Sequence, residues 1–523
     1  MADGRDRVVV IGGGIGGLTS AALLASSGLD VVLLERAPRV GGKIREVVLG
    51  DRRVDVGPTV LTMRWVFDEI FASLGLRFED HVPLRRAETL ARHAWPDGST
   101  LDLFADVERS ADAIGALAGA READGYRRFC RYAREIFDVV EAPFLRAERP
   151  TLKTILSTAG SLGLGGMMKI DGHRTLHRAL GDFFVDARLL QLFGRYATYC
   201  GSSPYLAPAT LSVIAHVERE GLWLPEGGMG RVAEALAAAA ARAGATLRCG
   251  AHVAAIEEGR GRAAGVVLEG GERIEADAIV LNADPAALRV GLFGQRAARK
   301  APGSEPRSLS AVTWALVAEA SGFPLLRHNV FFSGDYEAEF RALFDRSELP
   351  RDATVYVCAE DRGHEPPPKP GEAGARPGGE GGGERLFFIL NAPATGDKHT
   401  PSSTEIHEWE QRVFQQLQRF GLSLRSTGPS PVATTPADFD RMFPATGGAL
   451  YGPVSHGWNS TFARPASRSK LPGLYFAGGS AHPGAGVPMA ALSGQLAARS
   501  VMEDLASTSR SRAAATPGGT WTR

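Results

Sequence analysis

The stretch Val8–Arg36, VVVIGGGIGGLTSAALLASSGLDVVLLER, decides how the rest of the chain is read. Its four leading apolar residues have the character of a buried strand in a parallel sheet. Gly12, Gly14 and Gly17 follow in G-x-G-x-x-G spacing, then Leu18–Ser27 has good helix composition and no proline. A second buried strand, Val31–Leu34, ends at Glu35. Each part has a mechanical reason. Gly12 permits the tight turn, Gly14 lets backbone approach a pyrophosphate, and Gly17 lets helix and strand pack closely. The helix N-terminus, starting around Ile15, offers free N–H groups and partial positive charge to phosphates. Glu35 stands where an acid accepts hydrogen bonds from a ribose. Strand, glycines, helix, strand and acid in this order predict an adenine dinucleotide.

The remaining composition is that of a soluble globular protein with two or three domains: 523 residues, 44% hydrophobic, 23% charged. A net charge of zero gives no reason to expect nucleic acid as a partner. Cys130, Cys200, Cys249 and Cys358 have no metal or redox spacing, so no metal is expected. They read as reduced thiols of a cytoplasmic protein. Val8–Leu29 is uncharged and long enough for a membrane span, but its glycine cluster favours the nucleotide fold. A second uncharged run, Thr154–Met168, is too short to cross a bilayer. It reads equally as a buried helix or glycine-rich loop, or as an element lying in a membrane surface.

Downstream of Glu35 and Arg36, Gly41 and Gly42 make a second close-approach loop, and Lys43 and Arg45 bring positive charge toward phosphates. Val54-Asp-Val-Gly57-Pro58-Thr59 follows. This pattern resembles the N-terminal half of the flavin-dependent desaturase and amine-oxidase superfamily. The resemblance implies that this backbone, through Gly57-Pro58-Thr59, passes along FAD near its isoalloxazine. It also implies that the strand after Gly244 gives backbone groups to the adenine, with Val253 in the matching place; read alone, Val253 is an ordinary buried valine. Trp65–Leu74 and Glu122–Val140 show helical spacing. Arginines 127, 128, 131 and 134 form a solvated face or, alternatively, a basic face toward anionic lipid. Leu206–Glu234 reads as turns and loops, and Arg231–Ala243 as helix.

Gly473–Gly494, GLYFAGGSAHPGAGVPMAALSG, is the second informative stretch. Leu474–Ala477 reads as a strand, Gly478 and Gly479 as close approach, and a helix is expected near Val487, Pro488 and Met489. Here the chain resembles the bacterial phytoene-dehydrogenase family, and within it the hydroxycarotenoid 3,4-desaturases. Leu192–Pro204 and the Glu226–Met229 turn carry the narrower likeness.

The expected fold class is α/β: a Rossmann-like FAD domain of glutathione-reductase/amine-oxidase type with inserted helical and α+β substrate domains. Residues 1–63, 206–288 and 440–505 would form the FAD domain, 64–205 a helical substrate or membrane-facing domain, and 289–439 an α+β substrate domain. Residues 361–384, rich in Pro, Gly and charge, read as a flexible loop, and 506–523 as a disordered tail. The implied reaction is removal of two hydrogens from an acyclic carotenoid, with non-covalent FAD accepting hydride and oxygen or a quinone as final acceptor. Such a substrate implies peripheral association with the inner face of the cell membrane. His482 is the conspicuous polar residue of the signature, in a structural or a proton-transfer role. Tyr196, Tyr199 and Glu218 are candidates for meeting a substrate hydroxyl, with core tyrosines and a solvated glutamate as the plain alternative. Other readings are a phytoene desaturase, a flavin amine oxidase, or a non-catalytic prenyl-lipid carrier. Amine oxidases that tether flavin use a cysteine near the C-terminus, whereas the last cysteine here is Cys358.

Overall fold

The computed structural model describes residues 5–148, 170–363, 383–457 and 460–514. The run Thr154–Met168, most of 361–384 and residues 515–523 lie outside them.

The opening segment forms strand β1 (Arg7–Ile11), helix α1 (Ile15–Ser26) and strand β2 (Asp30–Glu35). β1 is the middle strand of a five-stranded parallel sheet. Its order is Leu474–Phe476, Ala278–Leu281, β1, β2, Thr246–Cys249. Val8, Val9 and Val10 are fully buried, as expected for a central strand covered on both faces. Because strand 474–476 lies next-but-one to β1, the two ends of the chain are neighbours in one sheet. The C-terminal helix, Val487–Ala514, packs on α1: Ser20 Oγ donates to the Gly494 carbonyl at 2.9 Å. A Cβ on Gly494 would stand 2.2 Å from the Gly16 carbonyl oxygen, so this crossing requires glycine.

The second large element is an eight-stranded sheet built mainly from Ser310–Gly322, His328–Phe331, Val355–Ala359 and Glu384–Ala392. It differs from the sequence expectation in one respect. The region 64–205 is not wholly helical. Thr89–Ala94 and Thr100–Phe104 form a hairpin that joins this sheet, with Asn329–Phe331 parallel to Arg92–Ala94. The single strand expected after Gly244 is two, broken at Gly250: Thr246–Cys249 in the parallel sheet and Val253–Gly259 in a three-stranded antiparallel sheet. Val213–Glu220, within the stretch expected to be turns, is helical. The C-terminal helix continues to Ala514, so residues 506–514 are not a disordered tail. At the rim of the segment 361–384, Arg362 pairs with Glu384 at 2.6 Å and Arg385 with Asp361 at 2.6 Å, so both edges are held.

On the arginine face of helix Ala120–Val140 two of the four arginines pair with acids, and Arg128 donates to the Asp182 carbonyl at 3.2 Å. Arg127 pairs with Glu108 and Asp124, and Arg134 with Asp138. That favours the solvated reading of this face over a lipid-binding one. No described helix is long and apolar enough to cross a membrane.

Candidate active site

Both glycine-rich signatures open onto one cavity of about 2150 Å³. Pockets for one small ligand run to roughly 1,000 Å³. This one has room for a dinucleotide and a second long molecule.

One wall is built by close backbone approach. Gly41 N–H donates to the Gly13 carbonyl at 2.8 Å, and a Cβ on Gly42 would lie 3.1 Å from Gly14 Cα, so the second glycine loop lies on the first. Asn282 is the hub of these contacts. Its amide nitrogen donates to the Gly12 carbonyl at 3.1 Å, and its side chain would meet a Cβ added at Gly14, Gly16, Gly17 or Gly478 within about 3 Å. A Cβ on Gly16 would also sit 2.8 Å from Gly478 N, which places the N- and C-terminal signatures in direct contact. Of the residues singled out for the cofactor, Gly12, Gly14, Ile15, Glu35, Arg36, Gly42 and Lys43 line the cavity. So do Gly57, Pro58, Thr59, Val253, Gly478, Gly479, Val487, Pro488 and Met489. Gly17 does not. It serves the packing of α1 on β1, its Cβ position lying 2.0 Å from the Gly12 carbonyl.

The chemistry of this wall fits a phosphate-bearing flavin. No side chain caps the N-terminus of α1, and its first turn carries no acid, so its N–H groups are open to an anion. Arg45 lies over the Phe439 ring, and its Nε and Nη2 are buried without a protein partner among the described residues. Burial pushes its pKa down. A buried guanidinium with unpaired donors is costly and calls for an anionic partner. Lys43 donates to the Leu450 carbonyl; burial lowers its pKa to about 8, with Asp284 opposing and Arg464 adding to the shift. Glu35 accepts from Gly13 N–H at 2.6 Å and Ala37 N–H at 2.8 Å, which fixes its carboxylate at the end of β2. Arg36 is turned to the Arg441 carbonyl at 3.1 Å, tying the edge of the nucleotide wall to helix Pro436–Met442.

Arg464, which sequence reasoning missed, organises the opposite side. Its guanidinium donates to the carbonyls of Gly479, Tyr451 and Pro453 at 2.9–3.0 Å. Ser480 Oγ donates to Asp284 at 2.6 Å.

His482 stands apart. It is 2% exposed, does not line the cavity, and its Nε2 lies 2.8 Å from the Phe144 carbonyl. Burial lowers its pKa to about 4, so the ring is neutral at physiological pH and Nε2–H is the donor. His482→Ala is therefore expected to cost about 1–3 kcal/mol of stability, leaving turnover per bound flavin unaltered. Thermal melting together with flavin-normalised rates checks this; a rate collapse at full flavin loading would give the ring a chemical role.

Tyr196, Tyr199 and Glu218 do come together. Tyr196 Oη donates to Glu218 Oε2 at 2.7 Å and Tyr199 Oη to Oε1 at 3.0 Å. Glu218 is thus no solvated surface acid: burial raises its pKa, with the two phenols and Arg195 opposing. Tyr199 and Glu218 line the cavity; Tyr196 stands behind them. Four further residues join this cluster. Arg195 Nη1 donates to Tyr199 Oη at 3.0 Å, and its guanidinium lies over the rings of Tyr199 and Tyr356 at 5.2 and 5.6 Å. Tyr356 Oη is 2.7 Å from both Thr59 Oγ1 and His328 Nδ1.

A parallel sheet with an uncapped glycine-opened helix, closed by the C-terminal helix around one large cavity, defines a flavin-binding oxidoreductase of the amine-oxidase type. The chain belongs to the flavin containing amine oxidoreductase family, whose pattern matches residues 15–502. It is 50% identical over 520 residues to a hydroxyneurosporene desaturase of Rubrivivax gelatinosus, covering 99% of this chain and 97% of that one. To a hydroxyneurosporene desaturase of Cereibacter sphaeroides it is 45% identical over 506 residues, 96% of this chain and 99% of the other. Among solved structures, wild-type putrescine oxidase bound to putrescine superposes with a TM-score of 0.59 at 14% identity, over 95% of this chain and 99% of that chain. That likeness is one of fold.

Proposed function

We propose that the protein is an FAD-dependent carotenoid desaturase that introduces a carbon–carbon double bond near the end of an acyclic 1-hydroxycarotenoid, at carbons 3 and 4. One observation carries the reading. A cavity too large for a dinucleotide alone starts at the two glycine signatures and continues between the eight-stranded sheet and helices Ala120–Val140 and Val213–Glu220. Phe137, Val140, Ile214, Val217, Phe387 and Ile389 supply apolar wall there. The identity to two hydroxyneurosporene desaturases over nearly the full length supports the same substrate class.

Gly12, Gly14, Glu35, Lys43 and Arg45 would hold the dinucleotide, and the segments 57–59 and 478–480 its ring system. When bound, the flavin supplies a two-electron acceptor for hydride from an allylic carbon. The protein's part is to present that carbon. The apolar walls align a rigid polyene and exclude water. A proton would leave the neighbouring carbon as the hydride departs and pass to water at the cavity mouth, so two hydrogens are lost and one double bond is gained. Positive charge developing on the chain spreads along the polyene, and a strong dedicated base is not required. A substrate of this kind resides in lipid, so the reading includes peripheral association with the inner membrane surface, and oxygen or a membrane quinone as final acceptor.

Pigment analysis after co-expression with acyclic precursors tests the reading. The expected product lacks two hydrogens and absorbs at longer wavelength. Unchanged pigment beside abundant flavin-loaded protein would refute it.

A further inference from the structure

Arg195 is a cation in the wall of a predominantly apolar cavity, yet among the described residues no carboxylate oxygen lies within 4 Å of it. Among the described residues one of its five donors is used, by Tyr199. It is held in place by two aromatic faces, those of Tyr199 and Tyr356. Glu218, reached through Tyr199, balances its charge at one remove. The cluster therefore carries one cationic and one acidic side chain and is incompletely paired at His328 Nε2 among the described residues, the state in which a buried polar network is costly unless a ligand completes it. An anion would face Glu218. A neutral hydroxyl would not: it accepts from the guanidinium and donates to a phenol oxygen of Tyr199 or Tyr356.

The position is as informative as the chemistry. The polar chain begins at Thr59, two residues beyond Gly57, and runs through Tyr356 and Arg195 to Tyr199, Glu218 and Tyr196. In a 1-hydroxycarotenoid the carbon bearing the hydroxyl is two bonds from the nearer of the reacting pair. A site that binds it must lie beside the segment proposed above to hold the flavin ring, and Thr59 belongs to that segment.

Resting on the desaturase reading, we propose that Arg195, clamped between Tyr199 and Tyr356, is the hydroxyl-binding residue that determines which end-group the cavity takes. It selects a tertiary alcohol over a plain hydrocarbon terminus and sets the depth to which the polyene enters.

The test uses flavin-loaded protein and two unreactive ligands, an acyclic carotenoid already carrying the 3,4 double bond, with and without the 1-hydroxyl. Binding is read by quenching of tryptophan fluorescence. A hydrogen bond to a buried charged group favours the hydroxylated ligand by about tenfold or more in wild-type protein. Arg195→Met is expected to bring the ratio to within about threefold, and Arg195→Lys to restore part of it. Tyr199→Phe and Tyr356→Phe, which leave both aromatic faces in place, are expected to lower the ratio without abolishing it. The same ratios should appear in kcat/KM for the two undesaturated substrates. An undiminished preference in Arg195→Met overturns the assignment, as does wild-type protein with no preference. If wild-type protein desaturates neither carotenoid, the desaturase reading itself has failed; if it desaturates both with equal affinity, only the role of Arg195 has.

Discussion

Gly17→Ala is expected to yield protein carrying less than about a tenth of the wild-type flavin and melting well below it. The added Cβ would stand 2.0 Å from the Gly12 carbonyl oxygen and 3.0 Å from Asn282 Nδ2. Neither neighbour can yield cheaply. Gly12 is at φ +100° in the turn that ends β1, and Asn282 is the residue on which both signatures converge. Relief requires α1 to lift away from β1, which also displaces the Gly14 and Gly16 backbone from the cavity wall. Overpacking of this kind costs about 1–3 kcal/mol, more where backbone meets backbone. Gly270→Ala, at a glycine with nothing within 4 Å of its Cβ position, is the matched control and is expected to behave as wild type. Melting temperature and the flavin-to-protein ratio are the measurements. Full flavin content in Gly17→Ala would mean that the close approach of helix and strand is not what shapes the site.

Lys43→Met is expected to weaken flavin binding by about 10- to 100-fold at pH 7, the value of one charge-assisted hydrogen bond in a buried site. The pH dependence is the sharper result. Burial lowers the ammonium pKa to about 8 in the protein free of flavin. A phosphate-bearing ligand nearby favours the charged form, so the complex holds more protons than the free protein above pH 8. Affinity must then fall as pH rises through 8 and beyond, by at most tenfold per pH unit. In Lys43→Met this slope should vanish between pH 7 and about 9.5, because the titrating group is gone. Flavin fluorescence quenching on apoprotein across that range measures both effects. An identical slope in the variant would place the titration elsewhere.

The contrast between what could and could not be read from the chain has a physical basis. β1, α1 and β2 are contiguous, and their glycines are dictated by local backbone geometry, so spacing alone exposes them. The Gly478–Met489 signature was legible for the same reason. The hairpin Thr89–Phe104 was not, because its sheet partner, His328–Phe331, lies more than two hundred residues away and nothing in either segment names the other. Helix Val213–Glu220 was hidden by Pro208 and Gly221 at its flanks, although Ile214 and Val217 at helical spacing were a signal. This helix is what turns Glu218 inward. Arg195, His328 and Tyr356 come from a short helical turn and two strands and share no motif; only the tertiary fold makes them neighbours. Arg464 and Asn282 likewise act on backbone brought from elsewhere in the chain.

Anaerobic mixing of the flavin-loaded protein with one equivalent of an acyclic 1-hydroxycarotenoid tests the account most directly. It predicts loss of the flavin's visible absorbance together with formation of about one equivalent of a carotenoid lacking two hydrogens, bearing a new double bond at carbons 3 and 4. Intact carotenoid and unbleached flavin after prolonged incubation, with the cavity accessible to the polyene, would contradict it.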